Sequence, residues 1–315
     1  MRATTLRKLW PSQERAYEWA RDRSAIALYM QMRLGKSLCA IRWAEGKPDA
    51  KKCLVVTEPS ALRGWRDEFA AEGIQVCELL GTREQRMRAC ERAGGDAKWF
   101  LINKQGLSER RGRGESSRYC PSPWALAPWD AVIVDESTLM RSPTANVTKI
   151  ILKHLTDAKY RAVMSGLPNP EGPEDYVTQM LFLAGRGGRF MGASDYWEWR
   201  AEHMNPVGYG WVVKNASRTR LREEVNASAF VLTRKQAGLR DEKLVHTVWL
   251  PQPKAVEAAV RRLRKLFETD VDMTDNALVA MEWEGQMAAG VFPTLPHNVK
   301  ADALADLLTG ELRGK

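Results

Sequence analysis

The chain has 315 residues, 44% of them hydrophobic, with 48 Lys and Arg against 39 Asp and Glu for a formal charge of +9. That is enough apolar material to fill one large domain or two modest ones, which excludes a disordered polar chain, and the positive balance favours polyanionic partners. No apolar run has membrane-spanning length, the amino terminus lacks a signal-peptide core, and the five cysteines are scattered with no C-x-x-C pair; a membrane span, a disulfide scaffold and a zinc site are not expected, and a reducing cytoplasm is.

In chain order, residues 25–30 (Ala-Ile-Ala-Leu-Tyr-Met) read as a buried strand, 37–44 as helix, 53–57 (Cys-Leu-Val-Val-Thr) as strand and 61–72 as helix. Further strands are expected at 98–102, 131–134 and 161–165. Strand alternating with helix predicts an α/β fold, a parallel sheet with helices on both faces. From Ser108 to Pro128 the chain is rich in Arg, Ser, Gly and Pro and has no periodicity; it is either a solvated surface loop or an electrostatic arm for a nucleic-acid backbone. Beyond residue 185 come Gly-rich turns and the aromatics Tyr196, Trp197, Trp199 and Trp211. At 254–268, Val256, Val260, Leu263 and Phe267 share one face of an expected amphipathic helix. The expected division is a sheet lobe over 1–185, carrying the basic loop 108–128, and a helical extension over 186–315.

Two segments carry chemistry. Leu34-Gly35-Lys36-Ser37 follows the first strand and opens a helix. A glycine there lets backbone N–H groups approach phosphates at a helix N-terminus, a lysine reaches the β and γ phosphates, and a serine hydroxyl enters the shell of Mg²⁺. The full phosphate-loop pattern has a glycine five residues before Gly35, where this chain has Met30. The second segment, Val132-Ile133-Val134-Asp135-Glu136-Ser137, is an apolar strand ending in adjacent carboxylates. Ligands of a doubly wound sheet bind at the carboxyl ends of its strands, so Asp135 suits Mg²⁺ and Glu136 suits activation of an attacking water. The alternative for such a pair is an acidic helix start.

With these segments in place, the sequence resembles the Swi/Snf-like branch of superfamily-two helicases and DNA translocases. Leu9-Trp10-Pro11-Ser12-Gln13 is similar to the upstream motif whose glutamine recognises adenine, and Met32-Arg33-Leu34-Gly35-Lys36-Ser37 resembles Met-Gly-Leu-Gly-Lys-Thr. Leu54 to Leu62, with Trp65 and Glu68-Phe69, resembles the motif leading to the nucleic-acid-facing helix. Asp135-Glu136-Ser137-Thr138 stands where the family has Asp-Glu-x-His, with Thr138 in place of histidine. Ser165-Gly166-Leu167-Pro168 stands for Thr-Gly-Thr-Pro, with Leu167 in place of the second threonine, and Phe230 to Lys235 resembles the segment near the end of the first lobe.

The resemblance implies a RecA-like ATP-binding lobe. ATP and Mg²⁺ would be held by Gln13, Leu34, Gly35, Lys36 and Ser37, with Ser37 and Asp135 on the metal and Lys36, Asp135 and Glu136 catalytic. Ser165 and Gly166 would couple hydrolysis to domain movement. The partner implied is DNA, duplex and bound without sequence preference through its phosphates, at Ser60, Arg63, Trp65, Asn103, Lys104 and Arg141. Trp65 is equally readable as core, and the arginines as solvated helix faces. Residues 300–315 resemble the helix before a second lobe, and no later strand-rich region follows. The expected protein is therefore an ATP hydrolase lobe that is weak alone and works with a separate second lobe or a replication or repair protein. The alternatives are a non-catalytic DNA- or partner-binding regulator that keeps the helicase fold, and an RNA helicase.

Overall fold

The computed structural model describes residues 7–111, 118–208, 210–239 and Arg261. Its centre is a parallel sheet of seven strands: β1 (Ala25–Met30), β2 (Cys53–Thr57), β3 (Val76–Leu79), β4 (Trp99–Asn103), β7 (Ala131–Val134), β8 (Tyr160–Ser165) and β11 (Ala229–Leu232), in the order β11-β1-β8-β7-β2-β4-β3. Two small antiparallel hairpins stand apart from it, β5 (Ser108–Arg111) with β6 (Arg118–Pro121), and β9 (Met204–Val207) with β10 (Gly210–Val213).

Successive side chains on a strand point to opposite faces, and the strands of this sheet are apolar on both. Ile26, Leu28, Met30, Val55, Leu101, Ile133 and Met164 enter one core, with Ala16 and Ala20 of α1 (Pro11–Ala20), Ile41 and Trp43 of α2 (Lys36–Glu45), and Trp65 and Phe69 of α3 (Leu62–Ala71). Ala27, Tyr29, Leu54, Val56, Ile102, Val134 and Val163 enter the other. That second core is closed by Trp124 and Ala125 of α5 (Pro123–Leu126), Ile150 of α6 (Asn146–Ile150), Val177 and Met180 of α7 (Asp175–Ala184), Trp199 of α8 (Tyr196–His203), and Leu221 and Val225 of α9 (Asn215–Ser228). Helix α4 (Arg83–Ala93) packs by the edge strand β3; its start is a reciprocal cap, Gln85 N–H donating to Thr82 Oγ1 and Thr82 N–H to Gln85 Oε1.

All five expected strands are present, within a residue at their ends, as are both helices. Three expectations change. The sheet does not end at residue 185, because β11 pairs in register with β1 from Ala27–Ala229 to Met30–Leu232. The expected basic loop contains regular structure: β5 and β6 pair from Ser108–Pro121 to Arg111–Arg118, and α5 follows. Strand β3 and helices α1 and α4 were not expected at all. The helix expected at 254–268, apart from Arg261, and the segment 300–315 lie outside the described residues. Among the described residues no helix is long and apolar enough to cross a membrane. Cys39, Cys53 and Cys77 are buried free thiols, and burial pushes the first two up to about 12.

Candidate nucleotide site

Strand β1 delivers the chain to a loop, residues 31–35, in which Arg33 (φ 66°) and Gly35 (φ 78°) are left-handed. Met30, where the full pattern has glycine, is buried as the last strand residue. Gly35 is required twice over: its φ disfavours a side chain, and a Cβ there would overlap the amide nitrogen of Gln13. The next turn is helical, with Cys39 N–H donating to Gly35 O at 3.2 Å. The N–H groups of Lys36, Ser37 and Leu38 precede that bond, so the positive end of α2 lies at this edge of the sheet. The Lys36 ammonium donates to the Met30 carbonyl at 3.0 Å.

Strand β7 ends two strands away in the acidic dyad. Asp135 is buried and accepts three hydrogen bonds: Trp65 Nε1 at 2.7 Å and Thr57 Oγ1 at 3.1 Å on Oδ2, and the Glu136 N–H at 2.9 Å on Oδ1. Glu136 is left-handed at φ 46°, an uncommon conformation for a residue with a Cβ. Burial, then the charge of Asp135, raise its carboxyl above the ordinary glutamate range, while Lys36 pulls it back. The Lys36 ammonium is lowered by burial and supported by Glu136 and Asp135. These groups therefore feel one another's charge across one sheet edge. Gly166, at the end of β8, joins them: a Cβ on it would lie 3.8 Å from Lys36 Nζ. Ser165 Oγ accepts from the Leu167 N–H at 3.1 Å and shapes that turn.

Beside the loop is a pocket of about 290 Å³ lined by Arg7, Trp10, Gln13, Arg33, Gly35 and Leu38, with Lys8 and Glu68. Gln13 is buried, accepting from the Trp10 N–H at 2.9 Å and donating a long bond, 3.4 Å, to the Leu34 carbonyl. Helix α1 is thereby fastened to the 31–35 loop. A larger cavity of about 1100 Å³ follows the β3 edge among Arg66, Glu78, Arg92 and Trp99, and no expected site residue lines it.

The expected nucleic-acid contacts lie at or beyond the carboxyl ends of strands, but they differ in freedom. Ser60 is exposed in a 3₁₀ turn after β2, and the Arg63 side chain is 91% exposed with a loose 4.0 Å approach to Asp67. Asn103 is occupied in capping a turn, accepting from the Gly106 N–H at 2.9 Å, while Lys104 pairs with Glu58 at 2.6 Å and Arg141 with Glu171 at 2.7 Å. Trp65 is corrected: at 1% exposure its ring packs on Phe69, and its N–H is spent on Asp135, because α3 turns that side toward the sheet. Two residues escaped the sequence reading. Thr57 was detectable as a polar residue closing an apolar strand; nothing local marked the exposed Trp10 as a pocket wall.

The donor set fits a magnesium nucleotide: an ammonium, a hydroxyl, first-turn N–H groups and two carboxylates around a left-handed glycine turn. Mg²⁺ commonly takes one or two protein ligands and completes its shell from phosphates and water. Ser37 and Asp135 would supply those ligands.

No protein-family model matches the sequence, and no curated protein matches it. Among solved structures, the chain is similar to the SWI2/SNF2 ATPase core of Sulfolobus solfataricus in complex with dsDNA, with a TM-score of 0.59 and 16% identity over 98% of this chain. A weaker likeness, TM-score 0.40 at 14% identity, is to the UvsW helicase of bacteriophage T4, covering 56% of this chain and 58% of that one. The chain spans 65% of the length of the archaeal ATPase core. That likeness is one of fold: the chain has a RecA-like α/β fold built on the seven-stranded parallel sheet.

Proposed function

We propose that this lobe binds Mg²⁺-ATP and the backbone of duplex DNA as the ATP-binding half of a DNA-dependent ATPase of the translocase type. The observation that carries the reading is the convergence of Lys36, the Asp135-Glu136 dyad and Gly166 on one sheet edge. Lys36 would release the Met30 carbonyl to meet the β and γ phosphates, and the start of α2 would cradle them. Gln13 and Trp10 would bound the adenine in the pocket beside Gly35. Mg²⁺ would neutralise charge on the phosphates, held by Ser37 and Asp135. Glu136, ionised, would orient water and take its proton; its raised carboxyl is matched to that role.

Hydrolysis by the lobe alone is slow in this reading, since cationic groups from a second lobe are needed at the γ phosphate. DNA would lie across the loops after β2, β4 and β7, gripped through phosphates by Ser60, Arg63, Asn103, Lys104 and Arg141. The intact Lys36 and dyad favour this over a platform that has lost nucleotide binding. Calorimetric titration with Mg²⁺-ATP tests it: wild type binds, and Lys36→Ala loses affinity by about tenfold or more. Equal affinity of the two, or none in wild type, rejects the proposal.

A further inference from the structure

Gln179 lies on α7 at 0% exposure, and its side-chain amide uses every hydrogen-bonding position it has. Oε1 accepts from Ser137 Oγ at 2.6 Å and from Tyr29 OH at 3.0 Å. Nε2 donates to the Pro168 carbonyl at 2.9 Å and to the Asp175 carbonyl, one helical turn earlier, at 2.8 Å. Two hydroxyls on one side and two carbonyls on the other fix which way the amide faces.

Three of these partners belong to three different arms of the candidate nucleotide site. Tyr29 precedes Met30, whose carbonyl holds the Lys36 ammonium. Ser137 follows Glu136, which its own N–H ties to Asp135 on the other side. Pro168 lies two residues beyond Gly166, which borders Lys36. The chain has Thr138 and Leu167 where the resembled motifs carry histidine and threonine; here the polar link between the two loops runs through Ser137, Gln179 and the Pro168 carbonyl instead.

We propose that Gln179 is a positioning residue that couples occupancy of the nucleotide site to the placement of the loop after β8, a proposal that rests on the Mg²⁺-ATP reading above. A saturated amide in a dry core cannot follow one partner without leaving another unpaired, so the loops it joins move together. When Lys36 leaves the Met30 carbonyl for phosphate, the change at the end of β1 reaches Gln179 through Tyr29, and Gln179 passes it to the Pro168 carbonyl in the turn after β8 and to Ser137 beside Glu136. The turn is placed to pass it outward: the Leu167 side is 63% exposed, and Glu171 in the same loop is bonded to Arg141 after β7.

The test is hydrogen-deuterium exchange of backbone amides in 166–174, with and without Mg²⁺ and a non-hydrolysable ATP analogue, in the full chain. In wild type the analogue slows exchange there by about fivefold. Gln179→Met, which keeps length and drops the polar atoms, binds the analogue within about twofold of wild type yet loses most of that slowing; Ser137→Ala loses part of it. A full response in Gln179→Met overturns the proposal, as does a wild-type loop that ignores the bound analogue. Should Gln179→Met not fold, Ser137→Ala decides alone, and its full response also overturns it. Failure of wild type to bind the analogue is seen by titration beforehand; that outcome rejects the nucleotide reading and this proposal with it.

Discussion

The indole N–H of Trp65 donates to Oδ2 of Asp135 across 2.7 Å, joining the helix that presents Arg63 to the first carboxylate of the dyad. Trp65→Phe keeps the ring against Phe69 and removes only the donor. A hydrogen bond to a charged group contributes about 1.5–3 kcal/mol, so the variant loses about that much stability. Urea denaturation should show a lower midpoint with an unchanged slope. An unshifted midpoint would mean that another donor replaces the indole.

Gly35→Ala places a Cβ in a left-handed turn and against the Gln13 amide. The backbone alone costs about 1–2 kcal/mol. Displacing Gln13 opens the pocket beside the loop, so affinity for Mg²⁺-ATP falls further than affinity for inorganic phosphate. Thermal melting and parallel titrations with the two ligands separate these effects.

Much of this site was legible beforehand because its parts sit at strand ends, where an apolar run stops abruptly at a polar residue. Met30 into the loop, Val134 into Asp135 and Met164 into Ser165 are all such stops. What stayed hidden depends on how helices roll against the sheet. Trp65 could face either way on α3 until Asp135 was seen beneath it, and Gln179 lies in an apolar helix, Asp-Tyr-Val-Thr-Gln-Met-Leu-Phe-Leu-Ala, with no local mark of function. Strand β11 was missed as part of the sheet because its partner β1 lies some two hundred residues earlier, a separation no window of periodicity spans.

Glu136 sets a pH dependence whose sign follows from its raised carboxyl. The folded protein keeps a proton that the unfolded chain gives up, so this group's contribution to stability is full below the ordinary glutamate range and is lost as pH rises through the folded value. Glu136→Gln should therefore melt higher than wild type at neutral pH, by about 2 °C given partial solvent screening, and lose that advantage in acid. Melting curves across pH check this, and a variant less stable than wild type at neutral pH would reverse the assignment. In a complete motor, the acid limb of turnover should lie above the ordinary glutamate range.

Arg63→Ala should weaken binding to duplex DNA uniformly across sequences and lower the slope of log affinity against log salt by about one. Its loose pairing with Asp67 implies no change in melting. A fluorescence-anisotropy salt series on two unrelated duplexes would show it; an unchanged slope places the phosphate grip elsewhere, with Lys104 and Arg141 the next to substitute.

Where the first strand and the last described strand end side by side, the chain after β11 is stitched to the start of the 31–35 loop. Gln31 N–H donates to the Leu232 carbonyl at 3.0 Å, and the Arg234 N–H donates to Gln31 Oε1 at 2.6 Å. The first residue after β1 is thus tied by two hydrogen bonds to the stretch that leaves β11. Any displacement of residues 232–234 must therefore either carry the start of the 31–35 loop with it or break one of these two bonds.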